Sequence, residues 1–572
     1  MNKETLKKIT LSLAIVAGVA LFFSFRPSED RNFELAKNMD IFNATVKELD
    51  LFYVDTIDPN VTIKRAIDAM LFSLDPHTEY YPAEDQSELE QMIKGSYGGI
   101  GSVISYDINK KHSMIAEPYE GMPAAEVGLK AGDVLLKIDE TDLKDKTNQE
   151  VSEMLRGEIG TSFVLKVQRP GVEKPINFTI TRKSIQLPTV PYYGVLENNT
   201  GYIDLVSFSG TPSADFKKAF IDLKSKNIES LIIDLRSNGG GLLDEAIEIV
   251  NLFVPKGEVI VTTKGKIKQA SNTYKTKNQP IDTEIPIVAL VGGSTASAAE
   301  ILAGALQDLD RGAVIGKRTY GKGLVQMPRS LPYGANMKLT TSKYYIPSGR
   351  CVQAIDYKHR NSDGSVGRIP DSLMNVFTTQ IGREVKDGGG IIPDIEVKND
   401  KLPNILFYLI NENLIFNYVT DFCLANKTIA TAEEFKLTDE DYNAFKEQIL
   451  KADFKYDQQS EKVLTSLKEI AEFEGYLAEA KEEFEALEKK LSHNLSKDLD
   501  YFSEPIKEII SMEIIKRYYF QKGAIIERLK NDQEVKEAVK LLKNQDQYKF
   551  VLTPGFTPVT NDSISYYANG GK

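Results

Sequence analysis

The stretch Gly292-Gly293-Ser294-Thr295-Ala296-Ser297-Ala298-Ala299-Glu300 ends an apolar strand in glycines and opens a helix with small residues. A hydroxyl at a helix start is more often a cap than a nucleophile, and Ser294 and Thr295 suit that reading. Ser297 has a second reading. Helix starts leave N–H groups unpaired and carry the positive dipole end, so the Ala298 N–H could stabilise an oxyanion beside the serine.

A nucleophilic serine needs a base. His77, His112 and His493 fall in segments that read as other domains, and His359 follows Asp356 and Lys358 in a polar stretch of turn formers. Lysine serves if it is neutral. An unperturbed amine of pKa ~10.4 is neutral in fewer than about one molecule in 10³ at pH 7, and desolvation lowers that pKa at about 1.4 kcal/mol per unit. Lys322 lies between Gly321 and Gly323 at the mouth of a strand, where bare backbone permits close approach. In a strand, Gln326 shares its face and could hold its amine by a hydrogen bond. Composition alone would make Lys322 one more solvated lysine. A further glycine cluster, Asp234-Leu235-Arg236-Ser237-Asn238-Gly239-Gly240-Gly241, follows a buried-type strand. It is either a tight turn or the source of a second oxyanion donor.

Two glycine motifs are decoys. Gly316 to Gly323 reads GxxxxGKG, but a phosphate loop needs Ser or Thr after its lysine, and a strand rather than a helix follows. Gly98-Gly99-Ile100-Gly101 opens no helix either. Nucleotide binding is disfavoured.

The elements around these residues belong to a chain of 572 residues, 42% hydrophobic and 27% charged, long enough for several domains. A net charge of −12 without a long basic run argues against nucleic acid. Two cysteines and four scattered histidines without HExxH support neither a disulfide scaffold nor a zinc site, and no metal or cofactor is expected. Lys3, Lys7 and Lys8 precede an apolar run from Ile9 to Phe25 with no small-x-small cleavage site after it. Residues 1–27 therefore read as a signal peptide or, slightly favoured, an uncleaved membrane anchor, with a cytoplasmic N-terminus and the rest exported. Cys351 and Cys423 could pair there.

Residues 28–94 read as helical, broken at Leu74-Asp75-Pro76-His77. Residues 95–183 carry glycines, short β-branched strands and one helix near Asn148 to Leu155. Residues 184–400 alternate strands and helices, which is α/β patterning. Residues 401–545 read as helical and charged, with a heptad repeat at Val463, Ile470, Leu477, Phe484 and Leu491. The tail 546–572, and in particular the stretch after Phe550, reads as an extended or disordered end. Leu402 to Leu542 is expected to be an accessory interaction module, so that a chain ending near Asp400 would keep a working α/β core.

In these strings the sequence strongly resembles the C-terminal processing peptidases, or tail-specific proteases, which are Ser-Lys peptidases carrying a PDZ domain. The matches are SLDPHTEYY from Ser73, GSYGGIGSVI from Gly95, GMPAAEVGLKAGDVLLKID from Gly121, DLRSNGGGLLDEA from Asp234, GGSTASAAEILAGALQD from Gly292, VIGKRTYGKGLVQ from Val314, TTSKYYIPSGRCVQ from Thr340 and GGGIIPDIEV from Gly388. They run in the family's order from roughly Leu35 to Val397. The resemblance implies a multidomain α/β protein: an N-terminal helical segment, a PDZ domain, a crotonase-like α/β protease core and a C-terminal all-α region. It implies Ser297 as nucleophile, Lys322 as general base and Gln326 as the residue orienting it. Ala298 N–H and a glycine N–H from Gly240 or Gly241 would form the oxyanion hole. Thr295 and Ala299 stand where the family often has serine, and Asn238-Gly239-Gly240-Gly241 where many members have Asn-Pro-Gly-Gly. Tyr97, Gly98, Gly99, Ile100 and Gly101 would turn N–H groups toward a substrate's C-terminal carboxylate, with Ile100 and Val103 lining a pocket for an apolar terminal side chain. The function implied is a serine endopeptidase on the periplasmic side of an inner membrane, cutting proteins with apolar C-termini near those ends. Membrane attachment would run through residues 9–25, and a homo-oligomer or adaptor contact through the helical region. The rival is an inactive PDZ scaffold, against which the joint retention of Ser297, Lys322 and Gln326 argues.

Overall fold

The computed structural model describes residues 27–84, 86, 89, 95–108, 110–398, 402–452, 454–456, 459–491 and 494–560. The segment 9–25, His493 and residues 561–572 lie outside them. Among the described residues no helix is long and apolar enough to cross a membrane.

Residues 27–80 and 329–339 form one compact unit, and the remainder forms another. The first holds helices α1 (Pro27–Phe52) and α2 (Pro59–Phe72). Asp58 caps α2, accepting from Asn60 N–H at 2.8 Å, and Pro59 suits the first helical position. The expected break at Leu74 to His77 is an Asx turn, in which Asp75 Oδ1 accepts from the N–H groups of His77 and Thr78.

In the second unit, residues 96–186 form a small β-domain. Strand β1 (Ser96–Gly99) and the strands β2 (Ser102–Asp107), β3 (His112–Pro118), β4 (Val134–Ile138), β5 (Ser162–Gln168) and β6 (Ile176–Thr181) follow in chain order, and β7 (Lys183–Gln186) pairs back on β1. The main sheet runs β2-β3-β4-β5-β6. Helix α3 (Asn148–Leu155) starts in a full capping box between Thr147 and Glu150, and its C-terminal carbonyls accept from Arg182.

The larger sheet contains β8 (Tyr192–Val195), β9 (Thr200–Asp204), β10 (Ser230–Asp234), β11 (Ile287–Val291), β12 (Ala313–Gly316), β14 (Ile395–Glu396) and β15 (Val559–Thr560) in that spatial order. Strand β13 (Leu324–Ser330) lies outside it. Only the β8–β9 pair is antiparallel. Both faces are buried, so the strands read as continuous apolar runs. Successive residues face opposite ways. Ile203, Leu231, Ile233, Ile287, Ala289 and Val291 pack under helices α4 (Pro212–Ser225), α5 (Leu243–Val250) and α6 (Ala298–Asp308). Tyr202, Ile232, Val288, Leu290 and Ile315 pack on the opposite face.

After β14, helices α7 (Asn404–Asn411), α8 (Leu414–Ala425), α9 (Asp439–Lys451) and the long α12 (Ser503–Asn531) enclose their own core around Leu409, Phe445 and Ile510. Between them α10 (Gln459–Phe473) and α11 (Lys481–Leu491) pack as a hairpin. The sequence pattern suggested one heptad run, but Gly475 has φ +85° and breaks it. Val463, Ile470 and Phe473 stay exposed, while Leu464 and Ala471 are the buried pair.

The larger difference is at the end of the chain. Helices α13 (Gln533–Lys543) and α14 (Gln545–Val551) cover the second face of the large sheet, with Val535, Ala538, Leu541, Leu542, Tyr548 and Val551 in its core. Tyr548 Oη accepts from Ile287 N–H at 2.9 Å, and β15 extends the sheet beside β14. The described part of the stretch read as a loose tail, residues 546–560, and the helix Gln533–Lys543 read as accessory belong to the α/β core. A sequence shows an apolar stripe on a helix, not the surface that the stripe meets.

Candidate active site

Strands β10, β11 and β12 are neighbours, and each sends a loop from its C-terminal end. This is where open α/β sheets place their ligands. The three loops carry Asp234–Gly241, Gly292–Ser297 and Lys317–Gly323.

Ser297 is the residue before α6, half-buried, with φ +55° and ψ −117°. A non-glycine residue there is strained, and such strain collects at functional positions. The neighbouring hydroxyls are spoken for differently: Ser294 is exposed, and Thr295 Oγ1 donates to Leu235 O at 2.7 Å.

Glu300 is the residue that sequence reasoning missed. It is fully buried, one turn into α6. Its Oε2 accepts from the main-chain N–H of Ser297 at 2.9 Å and of Lys322 at 2.8 Å. Its Oε1 accepts from Gly321 N–H at 2.8 Å and Thr319 Oγ1 at 2.5 Å. Burial pushes its carboxyl pKa up, against four donors that favour the charged form. One carboxylate thus ties the start of α6 to the loop after β12. The Ser-x-x-Glu spacing of a capping box was its sequence signal.

Lys322 is half-buried and lies in the loop, not in the strand, since β13 begins at Leu324. The shared-face expectation for Lys322 and Gln326 therefore does not describe the backbone. Gln326, on β13, donates from Nε2 to Thr340 Oγ1 at 3.1 Å. Gly323 explains why the false phosphate loop lacks its hydroxyl residue. A Cβ there would sit 2.7 Å from Gln353 N, and the glycine N–H donates to Gln353 Oε1 at 2.8 Å.

Gly240 has φ +99°, and a Cβ on it would meet Ala296 O at 2.7 Å and Ser297 Cβ at 2.8 Å. It packs directly against the serine. Its N–H donates to Asn238 Oδ1 at 2.9 Å, while Asn238 Nδ2 donates to Leu205 O and Asn238 O accepts from Ala296 N–H. Gly241, with φ +142°, lies against Phe208. Ala298 is buried at the first position of α6.

His359 is exposed on a hairpin, 2.7 Å from Asp356. His112 Nδ1 lies 2.7 Å from Lys110 O. Both cysteines are free thiols, and burial pushes each thiol pKa up. Among the described residues no His, Cys, Asp and Glu cluster could hold a metal ion.

In the β-domain, Tyr97, Gly98 and Gly99 belong to β1, and Gly157 N–H donates to Gly98 O at 3.2 Å. Arg156 lies over the Tyr97 ring at 4.7 Å, a cation beside the predicted carboxylate loop that the sequence reading did not pick out. Gly101 follows with φ +69°. The Ile100 side chain is buried beside Ile115 and Leu135, while Val103, the other residue of the expected pocket pair, is exposed.

Comparison with known proteins follows the same division. Residues 199–359 match the model of Peptidase family S41, 114–169 a PDZ domain model, and 405–542 the model "Probable PDZ-protease, C-terminal helical domain". A carboxy-terminal-processing protease of Bartonella bacilliformis is 37% identical over 328 residues, 56% of this chain and 73% of that protein. A Staphylococcus aureus protein named "Probable CtpA-like serine protease" is 30% identical over 469 residues, covering 80% of this chain and 91% of its own. The solved photosystem II D1 C-terminal processing protease is 29% identical, over 54% of this chain and 83% of that one, with a TM-score of 0.34. The chain belongs to peptidase family S41 as a carboxy-terminal processing serine protease, with a PDZ domain and a C-terminal helical domain.

Proposed function

We propose that Ser297 is the nucleophile and Lys322 the general base of an acyl-enzyme mechanism. The observation that carries this reading is the pair of bonds to one oxygen, Glu300 Oε2, from the N–H groups of Ser297 and Lys322. That oxygen holds the two main chains within two hydrogen-bond lengths of each other. The lysine amine must be neutral to act. It takes the proton from Ser297 Oγ as Oγ bonds to the scissile carbonyl carbon. The resulting oxyanion is met by Ala298 N–H and by Gly241 N–H, or by Gly240 N–H turned away from Asn238 Oδ1. When the C–N bond breaks, Lys322 returns the proton to the leaving amine. Water then attacks the ester, giving its proton to the lysine, and Ser297 Oγ recovers it as the acyl group leaves. Gln326 orients the amine through its Oε1, since its Nε2 already donates to Thr340 Oγ1.

The PDZ domain would bind substrate C-termini along β2 and α3, with Tyr97 to Gly101 and Arg156 at the carboxylate end. Apolar C-termini suit the exposed Val103. The basic start and apolar run 9–25 support a periplasmic enzyme anchored in the inner membrane. The exposed apolar residues of the α10–α11 hairpin support an oligomer or adaptor contact there.

The test is turnover of a peptide with an apolar C-terminus. Ser297→Ala, Lys322→Ala and Lys322→Arg should all be inactive with unchanged thermal midpoints, because arginine stays charged and cannot take a proton. Near-normal activity in Lys322→Arg would remove the lysine from the mechanism.

A further inference from the structure

Arg236 follows β10 and precedes the glycine loop, and its guanidinium is saturated by carboxylates from two distant parts of the chain. Nε donates to Asp234 Oδ1 at 2.9 Å, and Nη2 to Asp234 Oδ2 at 2.6 Å. On the other side, Nη2 donates to Asp532 Oδ2 at 2.6 Å, and Nη1 to Asp532 Oδ1 at 2.9 Å and Glu534 Oε2 at 2.5 Å. Asp532 is also the N-cap of α13, accepting from the N–H groups of Glu534 and Val535. All three carboxylates are almost fully buried. A second arginine, Arg528 near the end of α12, approaches Asp204 Oδ2 at 3.4 Å, and Tyr202 Oη donates to Asp234 Oδ2 at 2.7 Å.

Buried ion clusters are poor sources of net stability, since desolvation offsets most of the attraction and apolar residues of similar volume often serve as well. What they fix is geometry. Asn238, two residues on, holds Leu205 O, Gly240 N–H and Ala296 N–H at once. A displacement of Arg236 therefore passes through Asn238 to Gly240 and to the residue before Ser297.

We propose that Arg236 is a positioning residue for the oxyanion loop and that Asp532 and Glu534, at the start of α13, clamp it. The C-terminal helical segment thereby sets the geometry of the active site without touching substrate. The proposal rests on the assignment of Ser297 and its oxyanion donors given above.

The test compares full-length Asp532→Asn/Glu534→Gln with the unaltered protein and with Tyr548→Phe. Asparagine keeps the helix cap while removing the charge. Tyr548→Phe removes a bond between α14 and β11 far along the chain from the loop and is a stability control. The double variant should lose about tenfold or more in kcat on a short peptide with KM within twofold, as expected for a displaced oxyanion donor. Tyr548→Phe should lower the thermal midpoint and leave kcat unchanged. If the double variant does not fold, Glu534→Gln alone is read in the same way and should still lower kcat at constant KM. A kcat equal to that of the unaltered protein overturns the clamp. Ser297→Ala, run alongside, separates the two ideas: an active Ser297→Ala sinks the catalytic reading, whereas an inactive one with a normal clamp variant sinks the clamp alone.

Discussion

Two amphipathic stretches of the C-terminal region look alike in sequence and end in opposite places. Helix α13 buries Val535, Ala538, Leu541 and Leu542 on the α/β sheet, at most 4% exposed. Hairpin α10–α11 leaves Val463 64%, Ile470 53% and Phe473 93% exposed. Each has apolar residues at helical spacing. The difference lies in what is opposite. The second face of the sheet presents Tyr202, Ile232, Val288 and Leu290 and has to be covered. The two helices of the hairpin pack on each other, with Lys468 and Glu488 paired across it at 2.5 Å. An apolar stripe therefore identifies a helix that needs a surface. It does not say whether that surface is in the same chain.

The comparison breaks most simply by deletion. A chain ending at Asn531 should fail to fold its α/β core, because removal of α13, α14 and β15 uncovers a whole sheet face. Replacement of residues 459–491 by a short Gly-Ser linker should leave the thermal midpoint within a few degrees and peptide cleavage intact. Circular dichroism melts and peptide turnover of both proteins decide it. A well-folded, active chain ending at Asn531 would restore the view of the helical region as an accessory module.

A finer version uses single substitutions. Leu541→Ala should cost about 2–5 kcal/mol in urea unfolding, as for other large buried side chains. Ile470→Ala should stay within about 0.5 kcal/mol, as for exposed positions. Equal losses would mean that the hairpin is covered in solution.

The ion cluster under α13 adds a pH signature. Burial, then the charge of Asp234, pushes the Asp204 carboxyl up to about 6. The folded state therefore holds this proton at a pH where the unfolded chain, with an ordinary carboxyl pKa of 3.8, has lost it. Its contribution to stability is complete below pH ~4 and is lost as pH rises through about 6. Asp204→Asn should flatten that decline, raising the thermal midpoint at pH 8 more than at pH 4. A uniform shift at both pH values would contradict the assignment. The smallest effect is expected at His359, which is 74% exposed: His359→Ala should change turnover less than about threefold, within the range of neutral surface substitutions.

Much of the site was legible because its elements are local in sequence. The buried-type strand before Ser297, the small residues after it and the glycines around Lys322 sit within short windows, and β11, α6 and α3 fall where their patterns place them. Glu300 was within the same window, but its role depends on donors from the next loop, which spacing alone does not reveal. Gln326 was read as a strand-mate of Lys322, and the chain enters β13 only after it. The clamp on Arg236 joins residues almost 300 positions apart and left no periodic trace.

The most direct measurement is rapid-quench mass spectrometry of the detergent-solubilised full chain with a slowly deacylating peptide ester ending in apolar residues. The account predicts an acyl adduct on the peptide containing Ser297 in the unaltered protein, and none within the same time in Lys322→Arg. An adduct on another residue, or one formed on Ser297 in Lys322→Arg at the unaltered rate, would contradict it.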